Sequence, residues 1–184
     1  MKHLKVLLFI IPVLLLGCSK TDTPSNPDVV SIQDLLPRDN EISNWTRQSG
    51  TGGSWIATNT SELQLQIDGG FELFANHGFV EAAMQRYTGK VGTESNVEIE
   101  VQVYDQGSSA QADAVFDDPN NVFTNPIPPS NPPSAKAEIR KDIFSYTMKF
   151  TKAKYYCLIT IFSSYDKAQE VLEVFAGNIA SKIQ

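Results

Sequence analysis

The sequence predicts an α+β fold, a largely antiparallel β-sheet flanked by helices. Three observations predict it. Val97, Ile99, Val101 and Val103 alternate with Glu98, Glu100 and Gln102, the period of two that marks a strand with one wet face. Tyr155 to Phe162 is apolar on both faces, as a central strand covered from both sides is. Ala168, Val171, Leu172, Phe175, Ile179 and Ile183 recur at helical spacing and define one inward stripe.

Taken in order, Trp45 to Gln48 and Ser54 to Ala57 read as two short strands around the turn Gly50-Thr51-Gly52-Gly53. A helix follows, capped by Asn59 with Glu62 three residues on, close to a capping box. Leu63, Ile67, Phe71 and Phe74 supply its buried stripe, and Gly69-Gly70 falls mid-helix, where each glycine costs about 1 kcal/mol relative to alanine. Close packing on a sheet or a bend that shapes a pocket both account for that pair. Asn76-His77-Gly78 ends the helix, with Gly78 as a left-handed cap. Val80 to Thr88 and the valine-rich run are the next two strands. Ser108 or Ser109 caps a short alanine-rich helix through Phe116.

Asp117 to Pro133 has no periodicity and carries five prolines between Pro126 and Pro133, which reads as a long exposed loop, 117–134. Three strands come next: Ala137, Ile139 and Ile143 among charged residues; Phe144, Tyr146, Met148 and Phe150 in alternation; and Tyr155 to Phe162. Their short connections favour antiparallel pairing. The amphipathic helix from Lys167 closes the chain.

The N-terminus speaks to location. Lys2 and Lys5 precede an apolar run, Val6 to Leu16, broken only by Pro12. A basic start and a short apolar segment form the layout of a secretory signal, and the run falls short of the ~20 residues a membrane-spanning helix needs. Leu15-Leu16-Gly17-Cys18 resembles the lipobox of bacterial lipoproteins. That resemblance implies removal of residues 1–17 and a lipid on Cys18, with Ser19 similar to the context of outer-membrane lipoproteins. Residues 18–34 are then a polar, proline-punctuated tether, and 35–184 one domain.

Residues 67–73, Ile-Asp-Gly-Gly-Phe-Glu-Leu, lead into Gly78-Phe79 and Arg86-Tyr87. Further on, Val103-Tyr104-Asp105 precedes Ser108-Ser109-Ala110-Gln111-Ala112. Together these resemble a domain-of-unknown-function family of bacterial secreted proteins and lipoproteins, over roughly Leu35 to Ile183. No activity comes with that resemblance. The order of elements is also similar to PsbP-like domains, an analogy that implies an α/β/α sandwich used as an accessory factor in membrane-associated assemblies.

Bulk properties narrow the partners. Without residues 1–17, 13 basic face 21 acidic residues, a net charge of −8. The lipid, not electrostatics, must then hold the protein on an acidic membrane, and nucleic acid is excluded because no basic cluster is available to neutralise phosphates. With Cys18 lipidated, Cys157 is the single thiol, inside a strand, and reads as a core residue.

Little chemistry is signalled. The mature chain has one histidine, His77, whose place at a helix end suits the dipole there. There is no Gly-x-Ser-x-Gly elbow, no phosphate-cradling loop and no His-x-x-x-His pair, so no cofactor and no metal site is expected. Asp117-Asp118-Pro119-Asn120-Asn121 lacks the alternating spacing of a calcium loop and reads as a turn. Asp68 and Glu72, four apart on one helix face, His77, and Trp55 beside its glycine-rich turn are the candidate ligand-facing residues.

Three functions are consistent with this. One is a non-enzymatic, lipid-anchored binding or assembly module of the cell envelope, whose partner is an envelope protein. Another is a small-molecule or lipid carrier with a pocket near the Gly69-Gly70 helix. The third is an enzyme using Asp68, Glu72 or His77. A deep pocket with converging polar groups favours the last two; a filled core with an exposed aromatic patch favours the first.

Overall fold

The computed structural model describes residues 30–184. The signal segment, Cys18 and the tether as far as residue 29 lie outside the described residues. The folded part begins earlier than expected, because Ser31 caps a single helical turn, α1 (Ile32–Leu35). Ile32, Leu35 and Leu36 are buried in the main core, and one turn is too short for periodicity to show against a polar background. Arg47 holds the end of that turn, donating from Nε to Pro37 O at 2.8 Å and from Nη2 to Leu36 O at 2.9 Å.

Seven strands form one sheet: β1 (Thr46–Arg47), β2 (Ser54–Ala57), β3 (Glu81–Val91), β4 (Glu94–Asp105), β5 (Lys136–Lys141), β6 (Tyr146–Lys152) and β7 (Tyr155–Ile161). Every pairing is antiparallel, in the order β1-β3-β4-β7-β6-β5, with β2 also on β3. The predicted central strand is central: β7 lies between β4 and β6, with Val103 opposite Cys157 and Phe150 opposite the same cysteine.

The period-two pattern of β4 sorts the molecule into layers. Val97, Ile99, Val101 and Val103 point into the larger core with Tyr87, Met148, Phe150, Cys157 and Ile159, under the C-terminal helix α5 (Ala168–Lys182) and α1. Phe175 of α5 meets Trp45 and Tyr87 edge-on, at 5.3 and 5.2 Å between ring centroids. Fully burying such a ring contributes about 1.5–3 kcal/mol. Gly89 of β3 lies against the Trp45 ring so closely that a Cβ there would stand 2.3 Å from it, which is why a glycine sits in a strand interior.

The opposite face carries Ala82, Tyr104 and Tyr156 under α2 (Thr60–Gln66), α3 (Phe71–Ala75) and α4 (Ser109–Asp117). Phe74 stacks on Tyr104 at 3.7 Å. Helices thus cover both sides of the sheet, and the fold is α+β.

Two expectations need correction. The helix starting at Asn59 is not continuous. Asn59 does accept from Glu62 N–H at 3.0 Å, but the chain leaves helical geometry at Ile67 and Gly69 adopts φ +71°, so α2 and α3 are separate. Gly69 supplies the left-handed residue that breaks the helix, Gly70 caps α3, and Leu63 and Phe74 still reach one core. The strand read through Ala137, Ile139 and Ile143 stops at Lys141, and the one read from Phe144 starts only at Tyr146. Asp142 to Ser145 form the β5–β6 turn, closed by Asp142 N–H on Ser145 O at 2.8 Å, and leave Ile143 and Phe144 in solvent.

Candidate functional site

The four candidate residues do not converge. Asp68 falls in the break between α2 and α3 while Glu72 starts α3, so they share no helix face, and both are exposed. His77 follows α3, and its Nε2 donates to Asp118 Oδ2 at 2.9 Å. Asp118 also accepts from Asn120 N–H at 2.8 Å, and these two bonds, His77's the stronger, hold its carboxyl below the usual carboxylate range. The pair ties α3 to the turn after α4. Trp55 lies in edge strand β2 opposite Met84, half-buried against the smaller core, and borders an open groove of about 270 Å³ with Arg47 and Gln85.

Gln85 donates from its amide to Gln48 O, Gly53 O and Arg86 O, at 3.1, 3.0 and 2.8 Å, and so fastens the glycine-rich turn to β3. Its donors are spent on structure. Gly53 itself has no room for a side chain, since a Cβ would stand 2.6 Å from Gln48 O.

The half of the second sheet face beyond the helices carries a polar ladder invisible as a motif. Tyr104 OH donates to Gln102, Gln102 Nε2 to Glu100 at 2.5 Å, and Arg86 Nε to the same carboxylate at 2.8 Å. Gln48 Nε2 closes the row on Glu98 at 2.8 Å. Period two put these side chains on one face, but only the register of β3 on β4 aligned them: Arg86 opposite Glu100, Met84 opposite Gln102. Burial pushes the Tyr104 hydroxyl well above its ordinary range, so it stays a neutral donor.

A buried cation, which sequence reasoning missed, organises the edge of this layer. Lys149 of β6 is 1% exposed, and its Nζ donates to Phe116 O at 2.9 Å and Asn121 O at 2.6 Å. The rings of Phe116 and Phe123 lie 4.2 and 4.9 Å from it, and Glu138 stands at 3.6 Å. Burial lowers its pKa against the opposing pull of Glu138. The ammonium satisfies one carbonyl that the end of α4 leaves without a helical partner, Phe116 O, and one at the end of the 3-10 turn Pro119–Asn121. In the sequence it is one of several lysines between β-residues; only the fold buries it.

The proline-rich segment is not a free loop. Ile127 bridges Ile139 through both backbone bonds, at 2.7 and 2.9 Å. Buried Glu173 of α5 accepts from the backbone N–H groups of Ser130 and Asn131, at 2.9 and 3.0 Å, and from Gln169 at 3.0 Å. The segment therefore runs as a strap over the β5 edge onto α5.

Two further surface features remain. A groove of about 480 Å³ is bordered by Val30, Ala153, Lys154, Tyr155 and Gln184. Its cations are already paired, Lys154 with Asp105 at 2.6 Å and Lys182 with Glu41 at 2.9 Å. At the other end of β6, Ile143 and Phe144 are 80% and 77% exposed. Among the described residues no three His, Cys, Asp or Glu side chains gather as a metal site, and no helix is long and apolar enough to cross a membrane.

No family model matches the chain, and no curated protein matches it. Among solved structures it is similar to the extracellular domain of PknH from Mycobacterium tuberculosis, with a TM-score of 0.51 and 8% identity over 83% of this chain and 97% of that one. Identity this low shows a shared α+β fold and nothing of activity.

Proposed function

We propose that the protein is a lipid-anchored, non-enzymatic binding or assembly module of the cell envelope. One observation carries the reading. Both cores are filled by side chains, while two adjacent large apolar residues, Ile143 and Phe144, stand in solvent on a tight turn. An apolar patch without an internal partner marks a contact surface. The polar groups of the second face are consumed in their own ladder and in holding loops, rather than aimed at a common point. The signal layout ending at Cys18 supports the anchor, and the structural neighbour is itself an extracellular domain.

Native mass spectrometry of the lipidated protein, extracted mildly from its own membranes, tests the reading. The expected species begins at Cys18, carries acyl chains and retains a protein partner. A stoichiometric small-molecule adduct would replace this reading with that of a carrier, and an unlipidated chain beginning elsewhere would remove the anchor.

A further inference from the structure

We infer that the groove between α1 and the free edge of β2 takes an extended acidic segment of a partner protein. The segment's backbone pairs with Ser54 and Ile56, and one carboxylate side chain reaches Arg47. This rests on the reading of the chain as a binding module, though not on its lipid anchor.

Register lines up the site. Arg47 lies opposite Tyr87, Ser54 opposite Gln85 and Ile56 opposite Ala83. Those three partners are alternate residues of β3, and Ala83 and Tyr87 point into the larger core. Arg47, Ser54 and Ile56 therefore form a row on one sheet face, at intervals of about 6.6 Å. Gln33 and Leu36 at α1 border the other side of the same groove, of about 270 Å³.

The backbone of β2 is open along this row. Arg86 N–H donates to Gly53 O at 2.8 Å. That turns the backbone groups of Gly53, Trp55 and Ala57 toward β3 and, by alternation, those of Ser54 and Ile56 away from it. Both residues are exposed, and among the described residues β2 pairs with β3 alone. Such an edge is a template for the addition of an extended segment.

Charge selects the segment. Among the described residues Arg47 is the single charged side chain bordering the groove, in a mature chain of net charge −8. It is half-buried, and its Nε and Nη2 donate to Pro37 O and Leu36 O. Most of the guanidinium fork is left without a carbonyl or carboxylate. The other arginines differ: Arg38, Arg86 and Arg140 each meet a carboxylate, at 3.3, 2.8 and 2.9 Å. Asp39 accepts only the backbone N–H of Arg47, at 2.7 Å. A carboxylate entering the groove completes the fork, in surroundings where such a bond is stronger than in open water. A strand laid antiparallel on β2, the sense of every pairing in this sheet, sets alternate side chains beside Ile56, Ser54 and Arg47 in turn. The segment thus carries an apolar residue, a small one two positions on, and Asp or Glu four positions on. A phospholipid offers the edge no backbone to pair with.

The probe is the peptide Thr-Val-Thr-Thr-Thr-Glu-Thr, acetylated and amidated so that Glu is its single charge. It is titrated into the full lipidated chain in uncharged detergent, followed by amide resonances. The inference expects saturable shifts at Ser54 and Ile56, and slowed exchange of their amide hydrogens. Replacing the peptide's Glu by Gln should weaken binding about fivefold, and raising salt from about 50 to 500 mM should remove most of that difference. Methylating the backbone nitrogens of Val and the central Thr, which face β2 in this register, should abolish binding. Every change is made on the peptide, so misfolding of the protein cannot imitate the result. Absent binding, equal affinity for the Glu and Gln peptides, tolerance of the methyl groups, or shifts centred elsewhere overturn the inference. Native mass spectrometry of the membrane-extracted protein separates this from the broader reading. A retained protein partner beside a failed peptide defeats the groove alone, and a bound peptide beside a stoichiometric small-molecule adduct defeats the purely protein-binding reading while the groove stands.

Discussion

Replacing Lys149 by methionine separates the two contributions that meet at the buried ammonium. Methionine keeps most of the chain's length and its contact with the rings of Phe116 and Phe123, so little cavity is created. What it removes is a pair of charge-assisted hydrogen bonds, to Phe116 O at 2.9 Å and Asn121 O at 2.6 Å. Each is worth about 1.5–3 kcal/mol, and each leaves a carbonyl with no replacement donor. Against this stands the relief of an ammonium that burial disfavours. The ion pair decides little, because Glu138 lies 3.6 Å away and its side chain is one-third exposed, which limits it to roughly 0.5 kcal/mol. The carbonyls win, and Lys149→Met should destabilise by about 3 kcal/mol. In a domain of this size that lowers the midpoint by roughly 6–12 °C. Thermal unfolding followed by circular dichroism reads the shift, and hydrogen exchange should show the amides of residues 118–123 opening first. Glu138→Gln serves as the control and should move the midpoint by about 2 °C or less. A Lys149→Met protein that melts with or above the wild type would refute the argument, since desolvation would then equal or exceed both hydrogen bonds.

Three further outcomes follow from local geometry. Burial raises the pKa of Glu173, but the bonds from Gln169, Ser130 and Asn131 outweigh it and hold the carboxyl below its ordinary range. Its stabilisation is therefore present above the unfolded value of about 4.3 and is lost as pH falls through the lower folded value. Glu173→Gln should cost roughly 1–2 kcal/mol at pH 7, and the gap in midpoint to wild type should close as the pH is lowered below about 4; a gap constant from pH 7 to 2 would contradict this. Gly89→Ala brings a methyl group to 2.3 Å from the Trp45 ring, an overpacking that costs about 1–3 kcal/mol. Denaturant titration should show the loss with altered tryptophan emission, and an unchanged titration would show that the ring yields freely. Ala153 in the β6–β7 turn holds φ +49°, so Ala153→Gly should stabilise by roughly 0.5 kcal/mol once glycine's larger unfolded entropy is subtracted; a lowered melting midpoint would show that the turn carries no such strain.

Much of the fold was legible because it rests on periodicities that a single chain displays. Val97 to Val103 alternate, Tyr155 to Phe162 is apolar on both faces, and Ala168 to Ile183 repeats at helical spacing; each of these became the element its pattern implied. Caps were equally local: Asn59 and Ser108 accept the N–H groups of Glu62 and Gln111, and Gly78 takes φ +81°. The Gly69-Gly70 pair was legible as an irregularity but not as a full break, since the stripe of Leu63, Ile67, Phe71 and Phe74 fits a continuous helix equally well. Ile143 and Phe144 misled for a related reason. Alternation identifies a face, yet a four-residue turn that interrupts it is visible only through its closing hydrogen bond.

The sequence by itself determined most of the strands, the C-terminal helix and the order in which they follow one another. Those features depend on neighbours within a few residues, which the chain states directly. Tertiary structure alone decided that Lys149 is a buried cap rather than a solvated charge, that His77 meets Asp118 across 41 positions, and that the proline-rich segment is strapped to Glu173. It also decided that Val30 and the Ile143-Phe144 turn stand at opposite ends of one sheet. Each of these is a pairing across long sequence separation, set by strand register and helix packing, and no local pattern encodes which distant group will arrive.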